Sequence, residues 1–286
     1  MNAINRASTK LFDILLTPFE ALGVEWTLIL VSGIFGVLAL FIFKHISSQK
    51  GIAAAKDKIK GHMIEIRLYQ DDLGLVSRAI GKVLMRNVQY VFLNFGPFIP
   101  LSIPFVLVLS QMVVRYGFEP VPVTETSRTL LAGEGTTLRI EFQDDAKAAA
   151  ADLKIVYPEG LQPTSPLVRV AGQGFATQEF VATRGGQFEI QLAAGGATET
   201  KRFDVGEEGD QSRYRQGERL TGIWTILWPA EDSFSADSPF EVVSFAYPES
   251  DLGWLPGSGP GGVLVVFFVA SMLFGVLALK PLGVTI

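Results

Sequence analysis

The chain has 286 residues, 48% hydrophobic and 19% charged, with 24 basic against 29 acidic side chains. That many charges exclude a protein immersed in a bilayer along its whole length. It has no cysteine, which excludes disulfides, thiolate chemistry and cysteine zinc sites, so any domain outside the cytoplasm must hold together by packing.

In residues 1–23, Ile4, Leu11, Leu15, Phe19 and Leu22 share one helical stripe, while Arg6, Lys10, Asp13 and Glu20 fall elsewhere around the axis. This predicts an amphipathic helix lying on the outer membrane surface. Thr17-Pro18-Phe19-Glu20 has the order of an N-cap, a proline at the first helical position and a capping-box glutamate, which predicts a break and restart near Thr17.

Three runs carry no Asp, Glu, Lys or Arg: 18 residues at 26–43, 28 at 87–114 and 19 at 261–279. A spanning helix needs about 20 predominantly apolar residues, so spans are expected at 24–44, 87–116 and 261–279. The basic cluster follows the first run instead of preceding it, so that run reads as a retained span and not as a signal peptide. In the second, Pro97, Pro100 and Pro104 each remove a backbone donor and predict a kinked or broken helix.

Residues 45–86 form the first soluble region. From 44 to 87 there are nine Lys or Arg against four acids, which by the positive-inside rule places this segment in the cytoplasm. The basic side chains are Lys50, Lys56, Lys58, Lys60, Arg67, Arg78, Lys82 and Arg86, with Lys44 at the membrane edge. Ile52, Ile59, Ile66, Leu73 and Ile80 recur every seven residues, with Ala55, Tyr69, Val76 and Val83 at companion positions and His62 as the exception. This is the pattern of a coiled-coil seam. Asp71-Asp72-Leu73-Gly74 supplies turn chemistry in its middle, so two antiparallel arms are expected.

From 117 to 260 there are 11 basic and 22 acidic residues, and this acidic region falls on the other side of the membrane. Over 120–206 the periodicity changes to two, with β-rich runs at 137–142, 153–157, 167–170, 178–182, 188–192 and 200–205. Turn signals at Gly133-Glu134-Gly135, Pro158-Glu159-Gly160, Gly185-Gly186 and Gly195-Gly196 separate them, and the pattern favours an all-β sandwich of immunoglobulin-like type. Residues 207–260 read as irregular. Trp26, Trp224, Trp228 and Trp254 are expected to anchor at the membrane interface. The tail at 280–286 returns to the cytoplasm.

The only histidines, His45 and His62, lie in the cytosolic arm, so the outer region has neither a Ser-His-Asp triad nor a histidine metal site. His62 reads as a partly buried packing residue. Asp144-Asp145, Glu207-Glu208 and Glu231-Asp232 read as solvated loop charges rather than acid–base pairs. Gly172-Gln173-Gly174 lacks the strand-to-helix setting of a phosphate loop. No cofactor, metal or catalytic constellation is expected. The arm has one stacking aromatic, Tyr69, and alternates its charges, which argues against sequence-specific nucleic-acid binding. Ser271 and Gly275, four apart in the third run, permit close helix contact, either between chains or internally against Gly33 and Gly36.

The segment Lys56-Asp57-Lys58-Ile59-Lys60-Gly61-His62-Met63-Ile64-Glu65-Ile66-Arg67-Leu68-Tyr69-Gln70-Asp71-Asp72 resembles the coiled-coil arm of the YidC/Oxa/Alb membrane insertase superfamily. Asn94-Phe95-Gly96-Pro97-Phe98-Ile99-Pro100-Leu101-Ser102-Ile103-Pro104-Phe105 resembles its proline-punctuated core span. Minimal three-span relatives, among them archaeal members and the third subunit of the endoplasmic-reticulum membrane protein complex, share this order of elements. The resemblance implies a non-enzymatic insertase or chaperone of the inner membrane, whose partners are nascent membrane proteins, the ribosome and lipid. An extracytoplasmic protein would engage the β region. The first span lacks the intramembrane basic residue of the bacterial pattern. A polar cytosol-facing groove would therefore be lined by Asn87, Tyr90 and Asn94, with Ser32 and Ser102. The other reading is a membrane scaffold or sensor whose outer sandwich binds an extracytoplasmic partner.

Overall fold

A computed structural model describes residues 2–124, 135–206 and 217–284. Its helices are α1 (Asn2–Glu20), α2 (Val24–Ile46), α3 (Gln49–Leu68), α4 (Leu73–Phe95), α5 (Phe98–Tyr116) and α6 (Gly259–Leu282). Among the described residues, three stretches are long and apolar enough to cross a membrane: Val24–Ile46, Leu73–Tyr116 and Gly259–Leu282. The chain divides into two compact units, residues 1–28 with 106–266, and residues 29–105 with 267–286.

The second unit is helical. Gly36 of α2 lies against the backbone of Ser271 in α6, and Gly33 faces the Phe274 ring, which a Cβ would meet at 2.8 Å. Small residues thus bring two apolar helices to backbone contact, the packing that substitutes for a hydrophobic driving force in lipid. Of the two uses open to Ser271 and Gly275, the internal one is realised. Lys44 closes one end of the pair by donating to the Leu282 carbonyl at 2.6 Å.

α3 and α4 form a hairpin. Asp72 caps α4 by accepting from the Gly74 and Leu75 amides at 2.9 and 3.1 Å, which satisfies donors that a helix start leaves orphaned. The arms are antiparallel, because Lys82 reaches Glu65 near the turn at 3.4 Å while Gly51 faces Leu93 at the far end. On α3 the seam is Ile52, Ala55, Ile59, His62 and Ile66; on α4 it is Val76, Ala79, Val83, Arg86, Tyr90 and Leu93. Leu73, Ile80 and Tyr69 are exposed and do not belong to it. The turn at 69–72 resets the helical phase, so a seven-residue count cannot be carried through it.

No helix boundary lies at Asn87, where the second span was expected to begin; α4 runs unbroken to Phe95, and the interruption is at Gly96-Pro97. Pro97 has no amide to continue the ladder. α5 alone, with 19 residues, is about 28 Å long at 1.5 Å per residue and matches the hydrocarbon thickness by itself.

The other unit holds α1 and a β-rich region whose strands are β1 (Val121–Pro122), β2 (Thr136–Phe142), β3 (Lys154–Val156), β4 (Leu161–Pro163), β5 (Val168–Val170), β6 (Phe175–Ala182), β7 (Gly186–Ala194), β8 (Ala197–Gly206), β9 (Glu218–Leu220) and β10 (Phe240–Phe245). They form two sheets, β1-β8-β7-β3 and β4-β6-β2-β10-β9, with β5 also on β6. Alternating side chains from both, including Leu138, Ile140, Phe180, Ile190, Phe203 and Val243, fill one core. The β7–β8 loop is Gly195-Gly196 with both φ positive, at 56° and 80°, the conformation that a tight two-residue hairpin demands.

Residues 207–260 are not uniformly irregular. β10 sits inside the second sheet between β2 and β9, because Phe240, Val243 and Phe245 supply core side chains that the strands of 136–206 leave missing. The glycine signal at 133–134 and the acidic pair Glu207-Glu208 lie outside the described residues. The expected break near Thr17 does not occur: α1 continues through Pro18 to Glu20, with the Thr17 hydroxyl bonded back to the Asp13 carbonyl.

Candidate functional site

Between the three apolar helices of the second unit lies a notch of about 610 Å³. Phe35, Gly36 and Ala39 of α2, Ser102 and Phe105 of α5, and Ser271 and Met272 of α6 contribute to its walls. Phe35, Phe105 and Phe267 pack on one another with ring centroids 5.4–5.9 Å apart. Both serine hydroxyls are turned onto their own helices, Ser102 donating to the Ile99 carbonyl at 2.7 Å and Ser271 to the Phe268 carbonyl at 3.2 Å. The surface offered to an occupant is therefore apolar, and it suits a hydrocarbon chain or an apolar helix better than a polar peptide.

Of the residues expected to line a groove, Ser102 alone reaches this notch. Ser32 is completely buried in α2, and its hydroxyl has no hydrogen-bond partner. Asn87 is exposed on α4, Tyr90 lies on the seam with α3, and Asn94 donates to the Tyr90 carbonyl at 2.8 Å. The three were grouped by helical spacing, and spacing alone does not say which neighbour a face meets.

α4 carries a second apolar stripe, Met85, Val88, Phe92 and Phe95, again at spacings of three and four, and none of it is covered; Phe92 is 73% exposed. Met63, Ile64 and Leu68 are exposed on α3, and Ile99 and Ile103 continue the apolar exposure into α5. A hairpin bathed in water on every side has no use for such a face.

The basic residues frame this hairpin. Lys58, Arg67 and Arg78 are exposed, and Lys60 stands 3.9 Å from Asp57. Lys82 pairs with Glu65, which also accepts from His62 at 2.9 Å; the His62 bond, with Lys82 behind it, holds the Glu65 carboxyl below its ordinary range. Lys56 is half-buried, and Arg86 donates to Gln89 at 2.6 Å from the seam. Lys50, in the first turn of α3, is exposed.

In the first unit, α1 turns its polar side inward. Asn5 donates to the Thr225 carbonyl at 2.9 Å, Thr9 to that of Pro229 at 3.2 Å, and Arg6 pairs with Asp232 at 2.5 Å. Arg115, fully buried at the end of α5, lies 2.6 Å from Asp13 and 3.9 Å from Glu20, and Gln111 donates to Ser8 and Thr9. Sequence reasoning passed over Gln111 and Arg115, although their four-residue spacing at the end of an uncharged run puts both on one helix face.

Glu231 and Asp232 are not solvated loop charges. Glu231 is buried against the fully buried Lys201 ammonium, and Asp232 holds Arg6. Lys201 was also missed; its signal is the alternation in β8, which puts it on the core face with Phe203 and Val205. Burial pushes Lys201 down and Glu231 up, while the charge of each pulls the other back. Asp144, by contrast, is exposed beside Lys147. Trp26, Trp224 and Trp254 are exposed, whereas Trp228 is packed within the unit, stacked on Phe118 and donating to Glu218 at 3.0 Å.

The hydrogen bond from Arg6 holds Asp232 below the usual carboxylate range. A depressed carboxylate stabilises the fold above its unfolded pKa of about 3.9 and loses that contribution as pH falls through the lower folded value. Amide protection in the first half of α1 is therefore expected to drop on acidification below about pH 4. Hydrogen exchange on wild type and Asp232→Asn checks this, the variant lacking the dependence.

The chain matches no protein-family model, no curated protein and no solved structure. Among the described residues no group of three or more His, Cys, Asp or Glu side chains is placed to hold a metal ion.

Proposed function

We propose that this is a membrane insertase or membrane-protein chaperone of the YidC/Oxa type, working without catalysis and without a cofactor. The observation that carries the reading is the uncovered apolar stripe of α4, which continues from a basic hairpin into the exposed face of a membrane-length helix. The hairpin's positive charge would attract ribosomal RNA, and apolar client segments leaving the ribosome would be shielded along the stripe. They would then pass to lipid beside the apolar notch. The polar groove first expected is replaced in this reading by apolar surfaces. The 3–4 spacing of the seam supports a coiled coil, and the two-sheet core supports an immunoglobulin-like sandwich. The basic hairpin supports an inner-membrane orientation with the hairpin and carboxyl terminus in the cytoplasm and the β region outside.

Val88→Glu with Phe92→Glu leaves the seam intact and is expected to reduce insertion of a single-span client into proteoliposomes several-fold. A photocrosslinker at Met85 should capture nascent membrane proteins. Unchanged insertion together with an absence of nascent-chain adducts would sink the proposal. The uncharged interior of α2 and the self-bonded serines of the notch favour the second reading, a scaffold or sensor. Its signature is one stoichiometric outer partner and no clients on copurification.

A further inference from the structure

We propose that α1 and the 3-10 turn at Gly222–Leu227 form a single lipid-embedding surface, which seats the β-rich region on the leaflet where α2 begins. The argument starts with an inversion of burial. On α1 the buried positions are Asn5, Thr9 and Leu16, whereas Ile4, Leu11, Ile14 and Leu15 are all more than half exposed. The polar side finds internal partners: Asn5 and Thr9 hold the carbonyls of Thr225 and Pro229, Asn2 accepts from the Ser233 amide, Arg6 pairs with Asp232 and Asp13 with Arg115. These same bonds run residues 225–233 alongside α1, and the turn that opens this segment exposes Ile223 and Trp224, each 67% accessible.

The occupant is lipid because the surface is continuous with the membrane. Only residues 21–23 separate α1 from the apolar helix α2. Trp26 in the first turn of α2 and Trp254, five residues before α6, are both exposed, with rings 5.8 Å apart. They mark one interfacial level shared by two spans. A helix arriving at that level with Asp13 and Glu20 turned to Arg115, Arg6 and Lys10 exposed at its flank where headgroups lie, and its aliphatic face bare fits the boundary between headgroups and acyl chains. The β-rich region is then held at the membrane, not tethered above it. This inference does not depend on clients.

The cysteine-free chain makes the test direct. Single cysteines at Ile14, Ile223 and, as a control, Val156 on β3 are labelled with an environment-sensitive fluorophore in the full-length protein, reconstituted into phosphatidylcholine–phosphatidylglycerol vesicles. Labels at 14 and 223 are expected to be quenched by lipid spin-labelled high on the acyl chain, and several-fold less than the label at 156 by aqueous iodide. Iodide quenching at 14 or 223 equal to that at 156 overturns the proposal. So does exclusion of both quenchers, which would mean a protein cover, and so does lipid quenching at 14 without it at 223.

Discussion

Replacing Glu231 by alanine is expected to destabilise the β-rich region by about 3–5 kcal/mol, the usual cost of removing one partner of a buried ion pair. Lys201 is completely buried on the core face of β8, bonded to Glu231 and to the Arg202 carbonyl, with its ammonium 5.1 Å from the centre of the Phe245 ring. Without the carboxylate its charge has to be lost or hydrated inside a packed core, and neither is accommodated by aromatic neighbours. The pair itself need not be favourable relative to apolar residues of similar size, since desolvation opposes its attraction. The double variant Lys201→Met with Glu231→Leu is thus expected to recover most of the loss. Thermal unfolding of the purified protein, with intrinsic tryptophan as probe, checks both; a Glu231→Ala variant that unfolds like wild type would show that the ammonium is solvated. Glu199–Arg219 at 3.0 Å, with the guanidinium 4.2 Å over Phe234, lies close enough to couple, so the Lys201 variants are best compared in a background that retains it.

The elements governed by one local rule were legible in the sequence. Charge-free runs of membrane length mark helices, and period-two alternation marks strands such as Thr136–Phe142 and Ala197–Gly206. What could not be read depends on partners distant in the chain. β10 is short and lies in a segment rich in proline and acids, and it becomes a strand because β2 and β9 flank it. α4 carries two apolar stripes, and sequence periodicity cannot say which of them meets α3. Leu73 and Ile80 fit the heptad of the first arm and fail only because the turn changes the phase. Arg115 closes an apolar run, where an arginine ordinarily snorkels to water; its burial comes from Asp13 and Glu20, about 100 residues upstream. Asn87, Tyr90 and Asn94 were read as the start of the second span together with Ser102, but they lie on α4 before the break at Gly96-Pro97, and the Ser102 hydroxyl is turned onto its own helix. The aliphatic stripe of α1 was legible. Its docking through Asn5, Arg6 and Thr9 was not.

Replacing Gly36 by alanine is expected to disrupt the helical unit, while the same change at Gly275 is tolerated. In an isolated helix both changes would be favourable by about 1 kcal/mol, since glycine is the poorer helix former. The neighbours decide otherwise. A Cβ on Gly36 overlaps the Ser271 carbonyl oxygen, a backbone atom that no rotamer change can remove, whereas a Cβ on Gly275 comes no closer than 3.6 Å to the Gly36 carbonyl oxygen, an ordinary contact. Accommodating Gly36→Ala means pushing α6 away from α2, with loss of the close packing that holds helices together where lipid supplies no hydrophobic drive. Overpacking of this kind costs roughly 1–3 kcal/mol or more, against the smaller gain in propensity. Gly36 and Ser271 also line the notch, so separation of the pair alters the cavity that an apolar client would meet. The expected order of stability in detergent is Gly275→Ala equal to or above wild type, then Gly36→Ala, then Gly36→Val, measured as the temperature at which the monodisperse chromatographic peak is lost. Insertion efficiency should fall in the same order if the notch takes part, and an unperturbed Gly36→Val protein would refute the backbone contact between α2 and α6.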